Sequence, residues 1–73
     1  MNLSAESRMN LDKRLAEIER IADLDTPPMR TLAQLWLIGV IRDVQPAIDA
    51  SVFTQPENFE LGKRIEALYD RLS

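Results

Sequence analysis

Ser4, Ser7, Ser51 and Ser73 carry the hydroxyls that could serve as nucleophiles, and Glu17 and Glu19 form a close pair of carboxylates. Neither set finds the partners its chemistry needs. A serine becomes nucleophilic when a base takes its proton, and the sequence holds no histidine to do so. The four serines therefore read as caps, a turn and a terminus. Carboxylate catalysis needs two acids converging on one cleft, whereas residues two apart on a helix point roughly 200° apart. Asp23-Leu24-Asp25 resembles the opening of a calcium loop, but Pro28 stands at the sixth position, where that loop requires glycine. Asp23 and Asp25 are better read as acids favouring the positive N-terminal end of the next helix. Cysteine is also absent, so zinc and iron–sulfur sites lose their usual ligands and no disulfide forms. The expectation is a non-enzymatic chain with no catalytic residues, no metal and no cofactor.

Charge narrows the partners. Nine basic residues against 12 acidic give a net charge of −3, which argues against a protein that coats nucleic acid. Three short helices are nevertheless also the plan of a helix-turn-helix domain, so a small DNA-binding regulator is the alternative reading. Its candidate cations are Arg30 and Arg42 on the second helix and Lys63, Arg64 and Arg71 on the third. Those on the third are mixed with Glu57, Glu60, Glu66 and Asp70, and no face is clearly basic.

The apolar share of 45% is too high for a disordered chain. The longest apolar run, Leu35 to Ile41, is closed by Arg42 and is far shorter than the roughly 20 residues of a membrane span. Met1 to Glu6 shows no basic n-region with an apolar stretch behind it. These features predict a cytoplasmic protein. The preponderance of arginine among the basic residues hints at a GC-rich bacterial genome.

Prolines and caps divide the 73 residues into a single all-α domain of three helices, at about 4–24, 27–44 and 55–72, with a connector at 45–54. In the first, Leu11, Leu15, Ile18, Ile21 and Ala22 share one face, with Ser4, Ser7 and Asn10 competing as N-cap. Thr26 caps the second and Pro27 takes its first position. Pro46 stops or kinks that helix. Thr54-Gln55-Pro56-Glu57 reads as a capping box opening the third, whose stripe is Leu61, Ile65, Leu68, Tyr69 and Leu72. Glu60 and Arg64 are spaced to pair across its solvent face.

The central helix is apolar almost all round. Met29, Leu32, Ala33, Trp36, Val40 and Val44 make one broad face. Trp36 reads either as the largest core residue, the reading that leads, or as an anchor for a partner, and Gly39 beside it as a point of close approach. A second seam, Gln34, Ile38, Ile41 and Gln45 with Leu35 beside it, repeats at spacings of three and four, and Phe59 is placed to extend it. A domain of this size buries only about 60% of its unfolded surface, and this one has neither metal nor disulfide to staple it. The seam is therefore expected to meet a protein partner, most simply a second copy in a homodimer, as in small bacterial adaptors, antitoxins, chaperones or inhibitors.

Overall fold

Ser4 wins the competition to open the first helix. Its hydroxyl accepts the Ser7 backbone N–H at 3.0 Å, and α1 follows as Ala5–Asp23 in a computed structural model that describes residues 2–73. This start leaves room for one continuous helix that buries Leu11, Leu15, Ile18 and Ala22 on a single side. Asp25 ends it in the left-handed region at φ 51°, with its N–H returned to the Ala22 carbonyl. Aspartate is among the few non-glycine types that tolerate that conformation. Asp23 turns to Arg71 at 2.9 Å rather than to the start of the next helix. Thr26 then caps α2, its hydroxyl accepting the Met29 N–H at 3.4 Å.

The second helix, α2, spans Pro27–Asp49 and contains Pro46 in its interior, where the sequence predicts a stop. Proline removes one N–H, the partner of the Arg42 carbonyl. Both residues are exposed, so water can replace that bond. The ladder resumes at once, with Ala50 N–H on the Pro46 carbonyl at 3.0 Å. Continuing the helix also buries Ala47. At about 1.5 Å per residue, the 23 residues of α2 account for most of the molecule's 38 Å long dimension. Ser51, at φ 58°, ends it.

The capping box does not form. Thr54 closes a 3-10 turn, Val52–Thr54, and its hydroxyl donates to the Ser51 carbonyl at 2.7 Å. A second turn, Pro56–Asn58, precedes α3, which is Phe59–Leu72 and so starts four residues later than the proline signal suggests. Asn58 is the reason. It is fully buried, and its Nδ2 donates to the Val52 carbonyl at 3.1 Å and to Asn2 Oδ1 at 2.6 Å. Anchored there, the connector cannot coil into a first helical turn. Glu57 instead accepts from Asn2 Nδ2 at 2.8 Å.

The core is made by the α1 face, by Ala33, Leu37 and Val40 of α2, and by Leu61, Ile65, Leu68 and Leu72 of α3. The buried arc of α2 is rotated from the predicted one. Leu37 is core, whereas Trp36 is 43% exposed. With α1 and α3 both packed on α2, the arc between them decides what is buried, and Trp36 lies outside it. Gly39 is not a point of close approach, since a Cβ there would meet only Arg14 Nη2, at 3.8 Å. That role falls to Gly62, whose added Cβ would lie 2.9 Å from Phe53 Cβ. Among the described residues there is no strand, and no helix is long and apolar enough to cross a membrane.

Candidate functional site

The second seam of α2 becomes one wall of a groove, and α3 supplies the other. The helices run antiparallel. Gln34 Nε2 donates to the Leu72 carbonyl at 2.6 Å, and Arg30 Nη2 to the Arg71 carbonyl at 3.0 Å. Both bonds join the N-terminal half of α2 to the C-terminus of α3. Beyond them a shallow apolar depression lies between Ile38, Ile41 and Tyr69. It continues into a second, of about 440 Å³, walled by Ile41, Ile48, Phe53, Ile65 and Tyr69, with Glu66 at its edge. Ile41 and Tyr69 line both, so the two form one groove.

The six residues singled out in the sequence are only partly brought together. Ile38 is 54% exposed on the groove's edge, and Ile41 is half-buried at its floor. Gln34 closes one end and is engaged with α3. Gln45 is exposed and donates to Asp49 Oδ1 at 2.9 Å. Leu35 is exposed but lines a different depression, with Trp36, Gly39, Arg14 and Glu17 on the α1 side. Phe59 lies under Lys63 Nζ, 5.3 Å from the ring centroid. It borders a further depression that shares Phe53, Thr54, Gly62 and Glu66 with the groove.

Sequence reasoning missed Tyr69, Ile48 and Phe53. Tyr69 was assigned to the core stripe, yet it is 59% exposed. The signal was present: at about 100° per residue, Tyr69 sits at the outer edge of the arc defined by Leu61, Ile65, Leu68 and Leu72. Ile48 continues the spacing of Gln34, Ile38, Ile41 and Gln45, but a helix that ends at Pro46 leaves it out of the seam. Phe53 reaches the groove from the connector, which no periodicity could show.

Charge is distributed unevenly around this groove. Every ion pair among the described residues uses α1. Arg14 meets Asp43 at 2.9 Å, Arg20 meets Glu17, Arg64 meets Asp12 and Glu19, and Arg71 meets Asp23. None joins α2 to α3. Arg64 therefore serves α1 rather than Glu60, its expected partner on α3. Arg42, Glu66 and Asp70, on the outer edges of the groove, are exposed and have no ion-pair partner among the described residues. The carboxylates considered for chemistry are engaged elsewhere, Glu17 with Arg20 and Glu19 with Arg64. No grouping of three or more metal-ligating side chains occurs among the described residues.

No family model matches this chain, and neither a curated protein nor a solved structure is significantly similar to it.

Proposed function

We propose that this protein is a non-enzymatic protein–protein interaction module that docks, and self-associates, through the α2–α3 groove. The observation that carries the reading is the asymmetry between its sides. Among the described residues, ion pairs bridge both flanks of α1, whereas none crosses the α2–α3 side, which presents Ile38, Ile48, Tyr69 and Phe59 to solvent with unpaired charges at its edges. On the α1–α2 side Leu35 and Trp36 are exposed, but Arg14 and Asp43 are tied across it. A rimmed apolar patch on a small domain marks an interaction surface. A soluble cytoplasmic adaptor, antitoxin, chaperone or inhibitor of bacterial type is the role that fits.

The DNA-binding alternative has less support. Arg64 and Arg71 are committed to α1 carboxylates, Arg30 to a carbonyl, and Lys63 stands over a ring.

The test compares two aspartate substitutions. Ile38→Asp places a charge where a partner's apolar surface would have to desolvate it, at a cost of several kcal/mol. Its own fold keeps that position in water. The variant should therefore stay helical by circular dichroism yet neither self-associate nor retain a protein from native cell extract. Leu37→Asp, in the core, should unfold the domain. Binding by Ile38→Asp equal to the original chain would move docking away from this groove.

A further inference from the structure

The groove's edges carry a charge pattern that is complementary to itself. Two turns separate Arg42 and Asp49 on the outer edge of α2. On the outer edge of α3 the order is Lys63, Glu66, Asp70. Heights along the groove follow from Gln34, bonded to the Leu72 carbonyl at one end, and from Ile41 and Tyr69, which line both depressions midway. Arg42 then stands level with Glu66, with Asp70 one turn further along α3. Asp49 stands level with the interval between Phe59 and Lys63. Within one chain these charges are on opposite outer edges, with the groove between them.

Resting on the docking reading above, we infer that the groove is covered by a second copy of this chain, related by a two-fold axis running parallel to α2 and α3. That operation lays α2 of each copy over α3 of the other without changing height. Arg42 of one copy then meets Glu66 and Asp70 of the second, and Asp49 meets Lys63. Symmetry makes each contact twice. It brings the apolar floors, Ile41 and Tyr69, together along the axis. The other face-to-face two-fold, perpendicular to the helices, lays α3 on α3 and α2 on α2, so Arg42 no longer faces Glu66. That arrangement forgoes the attractions between the edge of α2 and the edge of α3. The charge order thus selects the occupant and its orientation together.

The experiment is sedimentation equilibrium on the purified full chain and three variants, each checked for helicity. The original chain should be dimeric. Arg42→Glu and Glu66→Arg should each weaken the dimer about tenfold or more, because each reversal turns two symmetric attractions into repulsions. Combining Arg42→Glu with Glu66→Arg should restore it, since the exchanged charges face one another again. A dimer indifferent to both single reversals, or not restored by the pair, overturns the parallel arrangement. A monomer at every concentration overturns the second copy as occupant. If that monomer still captures a protein from extract in an Ile38-dependent manner, the docking reading survives; if it captures none, both fall.

Discussion

Arg64 of α3 grips Glu19 of α1 with two parallel hydrogen bonds, Nε to Oε2 at 3.0 Å and Nη2 to Oε1 at 2.8 Å. Its remaining nitrogen reaches Asp12 Oδ1 at 2.5 Å. One guanidinium thus ties the last helix to two points of the first that lie two turns apart. The Glu19 hydrogen bonds hold Arg64 well above its ordinary pKa, against a smaller opposing effect of burial, so it stays charged at any accessible pH. Arg64→Lys keeps the charge but loses the planar fork. It should lower stability by about 1 kcal/mol, with Arg64→Ala costing about 2, as bidentate pairs outweigh ordinary surface pairs. Urea melts check both, and equal stability of all three proteins would show the clamp to be energetically silent.

The two glycines should respond to alanine with opposite signs. Gly39 lies inside α2 where an added Cβ would meet only the flexible end of Arg14, at an ordinary contact distance of 3.8 Å, so Gly39→Ala should stabilise by up to about 1 kcal/mol through helix propensity. Gly62 lies inside α3 against the Phe53 Cβ, which belongs to the rigid root of its side chain. Gly62→Ala should destabilise by about 1–3 kcal/mol despite the same propensity gain. Thermal melting of the two variants gives the sign directly.

At the connector, the buried amide rather than the threonine should dominate. Asn58→Ala removes two hydrogen bonds at a fully buried position and should cost about 2–3 kcal/mol. Thr54→Ala removes one exposed bond to Ser51 and should cost less than about 1 kcal/mol. A reversed ranking in denaturant unfolding would mean that Thr54 caps α3 after all.

The acid limb should carry a contribution from Glu57. Its own backbone N–H, and then the Asn2 amide, hold this carboxyl below the usual 4.5, with slight burial opposing. A depressed folded value means stability that is fully present above pH 4.5 and is lost as pH falls through the lowered value. The advantage of the original chain over Glu57→Gln should therefore hold at neutrality and shrink below pH 4.5, measured by melting temperature across the acid range. Between pH 6 and 8 the melting temperature should be flat, since no histidine is present to titrate.

Much of the architecture was legible in the residues alone. The three helices, the Thr26 cap, the α1 core face and the apolar seam at Ile38 and Ile41 all follow from spacing and cap chemistry, which are local properties of the chain. What the tertiary structure decided is everything that depends on a neighbour. Pro46 was an apparent stop, but one missing N–H on the exposed side is outweighed by packing beyond it. Thr54 carried a cap signal, but the burial of Asn58, held by Asn2 from the far end of the chain, set the start of α3. Trp36 and Leu37 are adjacent and both apolar. Only the positions of α1 and α3 around α2 determined that Leu37 would be enclosed and Trp36 left at the surface. The pairing of Ile41 with Tyr69 across the groove has the same origin, because helical periodicity defines the faces of each helix but not which faces meet.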